Sequence, residues 1–358
     1  MKGEICGTGS CIPVQFLCNQ ELSKLVDTSD SWIQERTGVQ YRHIVTGETT
    51  VSMAAEAGKR ALENAGISAS DVEMILVATI SSNVVLPCTA CEVQKILGAE
   101  GAVCFDLNAA CSGFTFAYNT AQAYIASGMY QNILIIGSES LSNLVNWQDR
   151  GTCILFGDGA GAAMVRAVPG VPYRAVAHSD GWSGKALVCE TRQSVSENLT
   201  RYLQNRADFH SDENNDQEII QQKEAIKSEP EVAKEPVGMD KTYIQMDGRE
   251  VFQFAVKKVT EAVGEVLRQN SVAPEEIDLF ILHQANKRIV EAVAKRLGIG
   301  IEKFPMNLQK YGNTSSASIP ILLDELNREG VLKKGQKLVM AGFGAGLSWG
   351  ADILDWNL

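Results

Sequence analysis

The stretch Ala102-Val103-Cys104-Phe105-Asp106-Leu107, running into Asn108-Ala109-Ala110-Cys111-Ser112-Gly113-Phe114, decides how this chain is read. Its first six residues read as a buried strand, and the Ala-rich apolar pattern from Phe116 to Ile125 reads as a helix. Cys111 falls at the turn between them. A thiol on a helix N-terminus meets unpaired backbone N–H groups and the positive end of the macrodipole, both of which favour the thiolate. The small neighbours Ala109, Ala110, Ser112 and Gly113 leave room for a substrate to reach the sulfur. A free cysteine is more commonly a core residue, so the case for chemistry depends on partners.

The 358 residues carry a net charge of −11, with 45% hydrophobic and 21% charged residues. That is a globular profile, large enough for one big domain or two ordinary ones. The acidic balance argues against nucleic acid or an anionic membrane as the main partner. The start, Met1-Lys2-Gly3-Glu4-Ile5-Cys6-Gly7, has no long apolar run of the signal-peptide kind. Nine scattered cysteines fit reduced thiols in a cytoplasm better than a disulfide framework. Cys88 and Cys91 form a C-x-x-C with no second pair or His cluster, which reads as chance spacing, and no metal is expected.

Two long stretches resemble each other. Ala54 to Leu62, Gly66 to Glu73 and Met74 to Thr79 repeat as Ala255 to Thr260, Ser271 to Asp278 and Leu279 to His283. Each is an amphipathic helix, a polar turn and a buried strand, with Asp71 matching Glu276 at an offset of 276 − 71 = 205. A second pair follows. Cys111 leads a helix to the strand Ile133 to Gly137, and Asn313 leads a helix (Ser316 to Leu326) to the strand Leu338 to Gly342. The offset there is 313 − 111 = 202, which reads Cys111 and Asn313 as equivalent positions in two duplicated α/β halves. The halves divide as 1–170 and 171–358. Alternating strands and helices imply mostly parallel sheets covered by helices. The segment at about 190–241 belongs to neither half. Rich in acids from Asp208 to Glu235, it reads as a solvated insertion, with a substrate lid or docking arm as the alternative.

Of the four histidines, His283 ends the buried strand Leu279-Phe280-Ile281-Leu282, where α/β proteins place chemistry. His210 lies in the acidic segment, and His43 and His178 read as histidines with satisfied hydrogen bonds. Asn313, after Tyr311-Gly312, suits an N-cap worth on the order of 1 kcal/mol. The stretches Phe156 to Gly161 and Gly342 to Gly346 lack the spacing of a dinucleotide loop. Their glycines better suit backbone N–H groups approaching a substrate carbonyl.

These residues together resemble the β-ketoacyl-acyl-carrier-protein synthase III family of thiolase-like condensing enzymes. The matching segments are Asp27 to Ile33 with Arg36-Thr37-Gly38, Ala109 to Phe114, and Asp149 to Thr152 with Phe156 to Gly161. Met246 to Phe252, His283 to Asn286, Gly312 to Ser315 and Gly342 to Gly350 complete the set. They span nearly the whole chain apart from the insertion. The resemblance implies a five-layered αβαβα thiolase-like fold and a homodimer, with no permanently bound cofactor. It also implies transfer of an acyl group from acyl-coenzyme A to Cys111, then decarboxylative Claisen condensation with malonyl-acyl carrier protein. His283 and Asn313 would stabilise the enolate; elongating relatives carry Cys-His-His and thiolases Cys-His-Cys, so Asn313 points to the initiating branch.

By the same resemblance the backbone N–H groups of Cys111 and Ala345 form an oxyanion hole, and Phe343 is the gate. Trp32 and Arg150 would sandwich the adenine of coenzyme A, with Arg36, Gly248, Phe252 and Asn286 along the tunnel. Gln284, Lys287, Arg288, Lys295 and Arg296 would receive the acidic acyl carrier protein. Leu86, in Val84-Val85-Leu86-Pro87, would close the acyl pocket of the partner subunit, and its aliphatic side chain points to longer or branched acyl groups. The acidic insertion is absent from typical members of the family. Two rival readings remain at this point: a specialised-metabolism enzyme of the same fold using another acceptor, and a non-catalytic subunit that binds acyl carriers.

Overall fold

The computed structural model describes residues 1–190 and 242–358. The chain divides into two compact units, Met1–Val188 with Gln245–Leu358, and Cys189–Ile244. In the second, the Cys189 thiol donates to the Thr242 carbonyl at 3.4 Å. The rest of the acidic segment read at about 190–241, His210 included, lies outside the described residues.

In chain order the first strands are β1 (Lys2–Cys11), β2 (Phe16–Cys18), β3 (Tyr41–His43), β4 (Met74–Ala78), β5 (Val103–Leu107), β6 (Asn132–Glu139) and β7 (Gly159–Val168). There follow β8 (Val176–Ser179), β9 (Leu187–Val188), β10 (Gln245–Met246), β11 (Leu279–Leu282), β12 (Gln336–Gly344) and β13 (Ser348–Trp356). One sheet has the order β1-β7-β6-β4-β5 and another β8-β13-β12-β11. The first three pairings are antiparallel, antiparallel and parallel in both sheets.

Helices Gly113–Ala126 and Ser318–Arg328 lie between the sheets. Phe114, Ala121, Ile319 and Leu323 share one core with Leu76 and Ile135 of the first sheet and Ile281 and Met340 of the second. Outside the first sheet, Met53, Ala61 and Val93 of helices Thr50–Ala65 and Thr89–Leu97 pack on Ile75, Val77 and Leu134. Outside the second, Val259, Val263 and Val290 of helices Gly248–Gln269 and Lys287–Leu297 pack on Phe280, Val339 and Ile353. The result is five layers, αβαβα. Strand β6 shows why its sequence is a continuous apolar run: Ile133 and Ile135 face the middle helices while Leu134 and Ile136 face the outer ones. Among the described residues no helix is long and apolar enough to cross a membrane.

Two expectations change. Strand β5 is not buried: it lies at the sheet edge, paired only with β4, and Val103 is 45% exposed. Phe105 and Cys104 are half-buried against the cores on the two faces, while Val103 is open to solvent. The duplication register also shifts. Short 3₁₀ turns at Ala110–Ser112 and Ser315–Ala317 each precede a middle helix, and Ala110 and Ser315 share positive φ values of 45° and 50°. Their offset is 315 − 110 = 205, equal to that of Asp71 and Glu276, so Cys111 falls opposite Ser316 and not Asn313. Finally, Cys88 and Cys91 stand one turn apart on the start of one helix, with their sulfurs 3.4 Å apart.

The two turns meet through glycine. A Cβ on Gly137 would stand 2.3 Å from the Ser316 carbonyl oxygen, and one on Gly344 2.6 Å from the Cys111 nitrogen. Backbone cannot yield as a side-chain tip can. Gly137→Ala is therefore expected to cost about 3 kcal/mol or more, read as a lowered urea midpoint with an unchanged slope.

Candidate active site

A cavity of about 680 Å³, including its open mouth, runs down to the ends of β11 and β12 and is lined by His283, Asn313, Phe343, Gly344, Phe252 and Asn286, among others. Cys111, 8% exposed, lies behind the Gly344 of that lining, with its backbone nitrogen against the glycine. Ala345 opens the turn that follows Gly344, which sets it beside Cys111. Burial pushes the Cys111 thiol up to about 12, against a lowering contact with the Ser315 hydroxyl. The resting group is thus a thiol. Desolvation outweighs the helix N-terminus that the strand-to-helix turn suggests as a thiolate stabiliser.

His283 extends β11 by one residue, its backbone N–H donating to the Ala341 carbonyl at 2.9 Å. The ring is 1% exposed, edge-on to Phe343 with centroids 5.0 Å apart. Its Nδ1 lies 2.6 Å from Ser318 Oγ, which also accepts from the Gln284 backbone N–H at 3.3 Å. The Ser318 hydroxyl has no other acceptor among the described residues, so its hydrogen goes to Nδ1 and we assign the ring hydrogen to Nε2. Burial lowers His283 to about 3, so it stays neutral. Asn313 is fixed by its backbone: its N–H donates to the Leu155 carbonyl at 2.8 Å and its carbonyl accepts from Gly157 at 3.0 Å. Its Oδ1 accepts from the Ser315 N–H at 2.9 Å, which leaves the amide Nδ2 hydrogens for the cavity. The site therefore presents one thiol and two neutral hydrogen-bond donors.

The mouth gathers most of the remaining expected residues. Arg150 lies over the Trp32 ring at 4.9 Å and Arg36 at 5.7 Å, so a planar group entering there must part Arg150 from Trp32. Asn286 donates to the Arg36 carbonyl at 3.1 Å and caps helix Lys287–Leu297 through the Arg288 N–H at 2.9 Å. Gly248 and Phe252 line the cavity, and the Arg288 guanidinium stands 5.7 Å over the Phe252 ring. Lys287, Arg288, Lys295 and Arg296 are exposed on that helix. Gln284 is not. It is 1% exposed, donates to the Leu282 carbonyl at 2.8 Å and accepts from the Asn307 N–H at 3.1 Å. Its amide props the chain behind His283 and cannot meet a docking protein. Leu86 is 86% exposed, far from closing any pocket of its own chain. His43 and His178 bond to the Pro13 carbonyl and to Glu265.

Two groups escape the sequence reading. Ser318, which orients His283, is one of three serines in Ser315-Ser316-Ala317-Ser318, and nothing in the run marks it out. Glu139 could be found: it is an acid ending the buried strand β6, the same signal that singles out His283. It is fully buried behind the turns that carry Cys111 and Asn313.

Neutral His283 gives a stability signature. The unfolded ring, near 6.5, takes up a proton that the folded ring refuses until about 3. Its contribution is therefore full above the unfolded value and lost as pH falls below it, by about 1.4 kcal/mol per pH unit. In urea unfolding, His283→Gln is expected to flatten the decline of stability between about pH 6.5 and pH 4 relative to the parent.

Known proteins carry the same arrangement. Residues 267–356 match the sequence model of the 3-oxoacyl-[acyl-carrier-protein] synthase III C-terminal region, and residues 105–181 match that of 3-oxoacyl-[acyl-carrier-protein] synthase III. The chain is 42% identical to β-ketoacyl-[acyl-carrier-protein] synthase III of Clostridium acetobutylicum, over 99% of this chain and 98% of the relative. It superposes on the 3-oxoacyl-[acyl-carrier-protein] synthase III structure from Aquifex aeolicus with a TM-score of 0.83 and 39% identity, covering 99% of this chain and 100% of that one. The Pseudomonas aeruginosa structure gives 0.84 at 32%, covering 100% and 99%. With fold, cavity and full-length identity in agreement, the chain belongs to the β-ketoacyl-[acyl-carrier-protein] synthase III family.

Proposed function

We propose that the protein carries out its family's two-step reaction. An acyl group passes from acyl-coenzyme A to Cys111, and the acyl-enzyme condenses with malonyl-acyl carrier protein, with loss of CO₂, to initiate fatty acid synthesis. What supports this reading is that His283 and Asn313 line one cavity whose Gly344 backs onto the Cys111 nitrogen. Decarboxylation places negative charge on the thioester oxygen of the malonyl group. Two neutral donors, Nε2 of His283 and Nδ2 of Asn313, suit that developing enolate. Neither offers a positive charge to hold the carboxylate, and Phe343 walls the same space with an apolar ring. The site thus favours departing CO₂ over bound carboxylate. The N–H groups of Cys111 and Ala345 serve as the oxyanion hole for the acyl carbonyl.

The mouth fits the two carriers. Trp32, Arg36 and Arg150 supply stacking faces for the adenine, with Gly248, Phe252 and Asn286 along the path inward. Lys287, Arg288, Lys295 and Arg296 supply the positive face for acyl carrier protein, without Gln284. The enzyme is a homodimer in this reading, supported by the uncovered β5 edge and by exposed Val85 and Leu86, at 74% and 86%. Leu86 then reaches the partner's acyl pocket. The halves 1–170 and 171–358 are duplicates, supported by the repeated strand order and the turns at offset 205. Nine free thiols fit a cytoplasmic setting. A non-catalytic subunit would have no use for the intact Cys-His-Asn set.

Intact-mass analysis after exposure to a panel of acyl-coenzyme A species should yield one acyl adduct, mapped to Cys111 and absent from Cys111→Ala. His283→Ala and Asn313→Ala should still be acylated but condense about 10²- to 10³-fold more slowly. An acylated enzyme that releases no CO₂ from malonyl-acyl carrier protein sinks the reading. Sedimentation should give twice the chain mass, and Leu86→Phe should shift acyl preference toward shorter straight chains.

A further inference from the structure

A second cavity, of about 470 Å³ including its open mouth, shares no lining residue with the one that holds His283. It lies where the start of β1, helix Gly113–Ala126 and the end of β13 come together. Alternation along β13 explains what faces it. Ala351 and Ile353 pack in the outer core and Leu354 in the middle one, so Asp352 falls on the face of Leu354, toward the middle helices. The period asks for an apolar residue at that position. The sequence supplies an acid instead, 3% exposed, in the cavity wall.

Most polar groups around this cavity are paired. Gln122 donates to the Gly3 carbonyl and to the Tyr118 hydroxyl, each at 2.7 Å, and accepts from the Gly3 N–H at 2.8 Å. Lys2 Nζ lies 2.9 Å from Glu4 Oε1 and 2.9 Å from Asp355 Oδ2. Asp355 Oδ1 accepts from the Tyr173 hydroxyl at 3.0 Å and pairs with Lys337 at 3.4 Å. Two side chains stand apart from this network. Among the described residues, Asp352 Oδ2 and both amide atoms of Asn119 are buried and meet no hydrogen-bond partner. Both residues line the cavity.

Charge separates the ligands that could satisfy them. The ammonium groups of Lys2 and Lys337 cancel the carboxylates of Glu4 and Asp355 at the mouth. Asp352 is left, among the described residues of the wall, without a counter-charge. A buried carboxylate in that condition is costly. Water could reach the unpartnered atoms but would leave the charge unmatched. What the wall offers is a carboxylate oxygen beside an amide oxygen, the hard donors that alkali and alkaline-earth cations take. Among the described residues no three carboxylate, thiol or imidazole groups converge to hold a metal ion of higher charge. One unmatched negative charge calls for one positive charge.

We propose that this cavity binds a monovalent alkali cation, potassium or sodium, between the oxygens of Asp352 and Asn119. The ion ties helix Gly113–Ala126, which begins just after Cys111, to β13, which begins just after the Ala345–Leu347 turn. It holds together two elements that frame the thiol while staying outside the reaction. The inference does not depend on the reaction proposed above, and its test needs no substrate.

Thermal melts in potassium, sodium and choline acetate at equal ionic strength separate a bound ion from general screening. The parent is expected to melt about 3 °C or more higher in at least one alkali salt than in choline. Asp352→Asn removes the charge and is expected to melt at the same temperature in all three. Asn119→Ala keeps the charge but loses an oxygen, and is expected to gain less than the parent. Equal melting of the parent in the three salts overturns the proposal and leaves the cavity to water and a protonated Asp352. A gain that survives undiminished in Asp352→Asn overturns it as well, because the ion then sits elsewhere. Should that variant fail to fold, crystals of the parent soaked in thallium(I) acetate decide. An anomalous peak between Asp352 and Asn119 sustains the site, and its absence sinks it.

Discussion

Two short turns meet between the sheets, one carrying Cys111 and the other following Asn313, and their approach is set where glycine lets backbone touch backbone. Gly137 admits the Ser316 carbonyl and Gly344 admits the Cys111 nitrogen, at spacings that no Cβ survives. Everything chemical follows from this closeness. It brings the start of one middle helix against the other and lets His283, at the end of β11, look onto the sulfur from a second sheet. Buried polar groups there turn to one another: Ser316 Oγ lies 2.9 Å from Glu139 Oε1 and 2.8 Å from the Ala78 carbonyl oxygen.

Desolvation then sets the charge of every group at the floor. Cys111 is held as a thiol and His283 as a neutral ring by the same burial. A site built on ion pairs would fix charges in the ground state. This one keeps its floor close to neutral and lets charge form only as bonds break, which is where preorganised dipoles act most strongly. Among the described residues, positive charge near the candidate active-site cavity stands at its mouth, on Arg36, Arg150 and the exposed face of helix Lys287–Leu297, where the proposed function puts the carriers.

The sequence reveals the layers and the reactive set because both rest on periodicity and on residues that end buried strands. Cys111 and His283 are legible in that way, and Glu139 carries the same signal. Other features depend on three-dimensional facts that spacing does not contain. Strand β5 reads as buried because it is apolar, yet it lies at the sheet edge with its side chains only half covered. Gln284 reads as surface because it is polar, yet it satisfies the backbone behind His283. The two turns match in backbone shape, shared by Ala110 and Ser315, which puts Cys111 opposite Ser316, three residues from the Asn313 that sequence spacing pairs with it.

The hydrogen bonds around buried Glu139 also bear on how the chain comes off the ribosome. Glu139 finds Ser81, Ile80 and Thr79 within the first half, but Ser316 arrives only after nearly the whole polypeptide has been made. Until then β6 ends in an acid whose hydrogen bonds are incomplete. Before translation delivers Ser318–Arg328, the inner face of the first sheet also lacks one of the two helices that cover it.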